Sequence, residues 1–101
     1  MITNWGTFDR GDPAELCRYL ALQALQGERF EVWTTDEPYL AIGGRGDCVV
    51  TVTVAPYENG GGTWIAVCAV GTSPEASERA RNAVRDRIQH AVPPPIHLPH
   101  L

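Results

Sequence analysis

The side chains that could do chemistry in this chain are three cysteines, three histidines and two serines, and their spacing does not assemble them into a site. Cys17, Cys48 and Cys68 are odd in number and far apart, with no Cys-x-x-Cys pair and no cysteine–histidine ligand spacing, so a zinc site has no support. Each lies in an apolar run, where a reduced thiol behaves as a small hydrophobe. Serine catalysis would need Ser73 or Ser77, which the surrounding sequence places at a helix start. A cysteine–histidine pair would need a base from among His90, His97 and His100, clustered near the C-terminus. A nucleophile, a base and a charge stabiliser cannot all be filled from these residues. The chain is expected to be non-enzymatic, with no catalytic residue, no metal and no cofactor.

The remaining motifs have plainer readings. Arg45-Gly46-Asp47 is a tripeptide that extracellular adhesion receptors read, but it sits in a glycine-rich stretch that makes good turn chemistry. Gly43-Gly44-Arg45-Gly46 and Gly60-Gly61-Gly62 open no helix and are followed by no Lys-Ser or Lys-Thr, so they read as hairpin turns rather than phosphate loops. Arg79, Arg81, Arg85 and Arg87 make one segment locally basic, nearly balanced by Glu75, Glu78 and Asp86.

Composition sets the bounds. With 101 residues, 44% of them hydrophobic and 20% charged, the chain is one ordinary globular domain able to bury a core. A formal charge of −4 argues against binding a phosphate backbone. All eight basic residues are arginine, which hints at a GC-rich bacterial or phage source and carries no functional signal. The start Met1-Ile2-Thr3-Asn4 lacks a basic, then apolar, leader pattern, and no run approaches the ~18 apolar residues of a membrane helix, so a cytoplasmic location is the expectation.

The elements follow from punctuation and period. Trp5 to Phe8 suits a short N-terminal strand or arm. Asp12-Pro13-Ala14-Glu15 reads as a helix start with Asp12 as cap, and Gly27 as its C-terminal stop. Leu16, Cys17, Leu20, Ala21 and Ala24 make one apolar stripe, leaving Tyr19, Leu22 and Leu25 outside it. The helix is either wedged between two surfaces or carries a partner-binding side. Four strands follow within residues 29–71, joined by short turns, so an antiparallel meander is expected. Thr72 or Ser73 caps a second helix reaching about Ala91, with Ala76, Ala80, Ala83, Val84, Ile88 and Ala91 as its stripe. Arg87 alone of the charged residues enters that stripe, either snorkelling at the helix C-terminus or meeting an acid across an interface. The expected fold is α+β: a four-stranded antiparallel meander, a possible short N-terminal strand, and both helices on one face. The domain spans 1–92, followed by a flexible Pro-rich tail, 93–101, with weak potential as a ligand for another protein's groove.

A turn centred on Asn59-Gly60 pairs positions summing to about 119, which puts Val50, Val52 and Val54 with Ala69, Val67 and Ile65 on one face. Alternation adds Phe30, Val32, Leu40 and Ile42 to that face as the core. The other face receives Glu31, Trp33, Thr35, Tyr39, Ala41, Thr51, Thr53 and Trp64. Aromatic side chains on a half-wet sheet face fit an interface. The expected function is an interaction module of adaptor, chaperone-like or regulatory type. It contacts a second copy of itself, or another protein, through Trp33, Tyr39, Trp64, Thr51 and Thr53 on the sheet or Tyr19, Leu22 and Leu25 on the first helix, with Arg87 as an accessory contact. The alternative is a small-ligand binder whose curved sheet forms a cup lined by the same aromatics.

Overall fold

The computed structural model describes residues 2–92, with side chains from Gly6 onward; the segment 93–101, including His97 and His100, lies outside the described residues. The chain runs β1 (Ile2–Arg10), α1 (Ala14–Gly27), β2 (Glu31–Trp33), β3 (Leu40–Arg45), β4 (Cys48–Pro56), β5 (Thr63–Gly71) and α2 (Pro74–Gln89). The expected α+β fold is present, with one more full strand than the meander supplies. β1 pairs with β5 over nine residues, from Ile2 opposite Gly71 to Arg10 opposite Thr63, and the antiparallel sheet has the order β1-β5-β4-β3-β2.

The valine-rich hairpin sets the core. Val50, Val52 and Val54 stand opposite Ala69, Val67 and Ile65, the register expected from the Asn59-Gly60 turn, and all six are at most 1% exposed. Both helices lie on this face, α1 across β2, β3 and β4 and α2 across β5 and β1, touching each other over the middle. Ala80, Val84 and Ile88 of α2 and Cys17, Ala21, Ala24 and Leu25 of α1 close the cluster.

On β3 the expected facing is reversed. Ala41 is opposite Val52 and Gly43 opposite Val50, so these point inward, while Leu40 and Ile42 lie on the other face beside Thr53 and Thr51. The reason is the turn: only Gly46-Asp47 separates β3 from β4, and Gly43 and Gly44 belong to the strand. Gly43 is small because a Cβ there would stand 3.0 Å from the Cβ of Phe30 and 3.5 Å from Leu25 Cδ2. Tyr39 is not on the outer face either; it sits in the turn before β3 and is 46% exposed.

Helix ends also differ from expectation. Asp12 caps nothing; its carboxylate takes Arg10, and its carbonyl accepts from Thr63 Oγ1 at 2.8 Å. At the C-terminal end of α1, Phe30 N–H donates to Leu25 O at 2.9 Å and Arg29 N–H to Gln26 O at 3.0 Å, the paired bonds of a Schellman motif. The left-handed position is therefore Arg29, at φ 65°, rather than Gly27. Gly27 lies inside the helix, where its missing side chain leaves space that the Arg87 guanidinium fills. α2 starts as expected, with Ser73 Oγ accepting from Ala76 N–H at 3.2 Å.

Arg10 joins three elements. Its Nε donates to Asp12 Oδ2 at 2.7 Å, and its Nη1 donates to Ile88 O at 2.6 Å and Gln89 O at 3.3 Å. A cation is thereby held against the last carbonyls of α2, where the helix dipole favours it. Replacing Arg10 by Ala should lower stability by about 2–3 kcal/mol, since it leaves helix carbonyls and a carboxylate without their shared donor. Arg29→Gly should raise stability by about 1 kcal/mol by relieving a left-handed non-glycine residue. Urea unfolding monitored by tryptophan fluorescence reads both, and midpoint shifts of opposite sign are the expected result.

Candidate functional site

The face of the sheet turned away from the helices is the candidate site. Alternation fills it row by row. One row carries Cys68, Thr51, Ile42 and Trp33 across β5, β4, β3 and β2; the next carries Thr7, Ala66, Thr53 and Leu40 across β1, β5, β4 and β3. Flanking rows hold Asp9, Trp64 and Ala55 on one side, and Val70, Val49, Gly44 and Glu31 on the other. No described helix covers it. Among its described side chains only Asp9, on the β1 edge strand, and Glu31, on the β2 edge strand, are charged. The strands alternate cleanly on β5, fully buried at Ile65, Val67 and Ala69 and half-buried at Trp64, Ala66, Cys68 and Val70. A sheet face in contact only with water normally carries polar side chains at such positions.

Trp33 is placed by a glycine. A Cβ on Gly44 would stand 2.6 Å from Trp33 Cζ2, so the indole lies flat on the neighbouring strand and still leaves 43% of the residue exposed. Trp64 is half-buried beside Ala55 at the far end of the sheet. Three strand steps and two residue rows separate the tryptophans, a span of roughly 20 Å. They do not converge on one pocket. Two clefts exist elsewhere, one of about 380 Å³ lined by Gly11, Pro13, Ala14, Pro56, Tyr57, Gly60 and Gly62, the other of about 200 Å³ lined by Leu20, Gln23, Ala24, Arg87 and Ala91. Neither reaches Trp33 or Trp64.

The structure thus brings Trp33, Thr51, Thr53 and Trp64 onto one surface, and separates the other expected contacts from it. Tyr39 stands in its turn. On α1, Tyr19 is 47% exposed, Leu22 is half-buried against the core edge, and Leu25 is fully buried. Leu25 cannot reach a partner because it is packed into the core over β3, where a Cβ on Gly43 would stand 3.5 Å from its Cδ2. Arg87 pairs with Glu28 of the same chain, tying the C-terminal ends of the helices together. The residues that were missed are Ile42 and Leu40, and the two-residue spacing of Gly46-Asp47 between strands was the signal for them. No family model and no curated protein sequence matches the chain.

The other motifs of the sequence have local roles. Arg45 lies 4.3 Å over the Phe30 ring and donates to Glu28 O at 2.6 Å, while Asp47 accepts from Thr72 Oγ1, so the Arg-Gly-Asp turn is bound into its own fold. Tyr57 donates to Asp9 Oδ1 at 2.5 Å, a bond that holds its phenol above the usual range, with partial desolvation adding to it. Among the described residues no group of His, Cys, Asp and Glu has metal-site geometry.

The cysteines divide by face. Cys17 and Cys48 are in the core, where burial pushes both thiols above the usual range; Cys68 is half-buried on the open face. A thiol raised on folding contributes stability that is intact below the unfolded pKa and is lost as pH rises toward the folded one. Urea midpoints should therefore hold level to about pH 8 and fall above about pH 9. In folded protein whose open face is uncovered, iodoacetamide should modify Cys68 first, with Cys17 and Cys48 reacting only on unfolding. Mass spectrometry of the labelled peptides checks the order.

Proposed function

We propose that this chain is a non-enzymatic interaction module that works as a homodimer, with the open face of the sheet as its contact surface. The observation that carries the reading is an uncovered five-stranded face whose central rows are Cys68, Thr51, Ile42 and Trp33, and Ala66, Thr53 and Leu40, without a charge among them. At ~4.8 Å per strand and ~6.6 Å per row, the face measures roughly 600 Å² in projection, near the ~800 Å² per partner of a standard interface once side-chain relief is added. A second copy is the partner that fits without new assumptions. Like meets like across a two-fold axis near Thr51 on the central strand, and an uncharged centre meets no repulsion there. Apolar centres with charges only at the rim are the usual anatomy of such contacts.

The three reduced cysteines suit a cytoplasmic setting, and no described helix is long and apolar enough to cross a membrane. The ligand-cup alternative is weakened by the distance between the tryptophans.

Light scattering behind size exclusion tests the proposal. The intact chain should run at twice its 11.0 kDa mass. Thr51→Arg, which puts a charge at the middle of the face, should yield a monomer, whereas Tyr19→Ala on α1 should leave the dimer unchanged. A monomeric intact chain, or a dimer broken at Tyr19 and kept at Thr51→Arg, rejects the reading.

A further inference from the structure

The two edges of the sheet are unequal. β2 is three residues long, but β1 runs for nine, and its register with β5 is unbroken from Ile2 to Arg10. Roughly half of its backbone N–H and C=O groups point away from β5, and no described strand takes them. Edge strands are normally blunted by proline, lysine, a bulge or shortness. β1 has none of these. Its charged residues, Asp9 and Arg10, are at one end, and Arg10 is occupied with Asp12 and α2.

A second feature gives this edge a chemical preference. α2 packs along β1, and at Gly6, in the middle of the strand, two of its arginines lie across the helix-side face. A Cβ on Gly6 would stand 3.8 Å from Arg81 Cδ and 3.9 Å from both Arg85 Cδ and Arg85 Nη1. The Nε of Arg85 is buried, makes no hydrogen bond, and stands 3.9 Å from the Asp86 carboxylate. Two of the four arginines of the basic segment, Arg81 and Arg85, thus lie beside the open strand edge of a protein of net negative charge.

We propose that β1 is a docking edge for an extended acidic peptide, which adds to the sheet as a sixth strand. Backbone bonds to β1 supply register, as in other strand-addition complexes. Alternate side chains of the added strand fall on opposite faces. Those on the helix side come level with Arg85, and with Arg81, whose Nε and Nη2 also donate to Asn82 Oδ1 at 3.1 and 2.7 Å, and are carboxylates, which pair with guanidinium in planar geometry. Those on the other side extend the open face past Thr7 and are apolar. A second copy of β1 fits this edge less well, because the described residues it would bring to the helix side are Gly6 and Phe8, with no acid between them. The groups that take the added strand are the outward N–H and C=O groups of β1, in the plane of the sheet, so this docking does not require a dimer.

The test uses the full chain and two fluorescein-labelled heptapeptides of alternating valine and glutamate or alternating valine and lysine, compared by fluorescence polarisation. The glutamate peptide should bind at least about tenfold tighter than the lysine peptide, with the difference shrinking in high salt. The double variant Arg81→Glu, Arg85→Glu should reverse the preference. As a second readout, amide chemical shifts of β1 in the unmodified protein should move on adding the glutamate peptide, with those of β2 unmoved. Equal binding of the two peptides, no binding of the acidic one, or shifts confined to β2 overturns the proposal. Tighter binding of a single-stranded oligonucleotide also overturns it, by giving the arginines to phosphate.

Discussion

Everything in this fold hangs on the pairing of Val50, Val52 and Val54 with Ala69, Val67 and Ile65. A two-residue period cannot bury one face without fixing the other, so a single register decides both the core and the exposed surface. Because the valine row must be kept from water, α1 and α2 are both drawn to that side, and they have to share it. They divide the sheet, one over the β2–β4 half and the other over β5 and β1. The opposite face is left open as a result of the same choice, and its Thr51, Cys68, Ile42 and Trp33 are what the alternation leaves over.

Sharing one face brings two helix ends close together, and the charged residues manage that contact. The Schellman ending of α1 turns the chain so that Phe30 enters the core beside Leu25 and Gly43. Glu28, at that turn, takes Arg87 from the end of α2. At the opposite margin Arg10 binds the final carbonyls of α2 from the end of β1. Arg18 donates to Leu40 O at 2.9 Å and so fixes α1 to the start of β3. Arg10, Arg18, Arg45 and Arg87 are therefore engaged with main-chain carbonyls or an acid of the same chain.

The fold class, both helices and the central hairpin register were legible because they rest on local signals: Ser73-Pro74 at a helix start, Asn59-Gly60 in a turn, and strict alternation in between. Trp33, Thr51, Thr53 and Trp64 were correctly placed on the open face for the same reason. What was not legible depends on tertiary space. Gly43 and Gly44 look like turn residues, yet they are strand residues that make room for Phe30 and Trp33, and this reversed the facing of Leu40, Ala41 and Ile42. Leu25 looks surplus to the helix stripe until Gly43, which leaves room for it on β3, is seen to be a strand residue. The full length of β1 was equally hidden, since residues Ile2–Arg10 find their partner only at Thr63–Gly71.

That last pairing has a bearing on how the molecule is made. The earliest strand of this sheet in chain order is paired with the latest, so α1 and the three strands between them in sequence are made before the pair can form. β1 can be paid out early but cannot be hydrogen-bonded into the sheet until residue 71 has emerged. During synthesis it waits as an unpaired extended segment, while the β3–β4–β5 meander can close as it appears. High-sequence-separation pairing of this kind is the slow part of folding. Closure of β1 on β5 is then the step that converts a meander into the finished domain, and it also gives α2 the strand on which its arginine side rests.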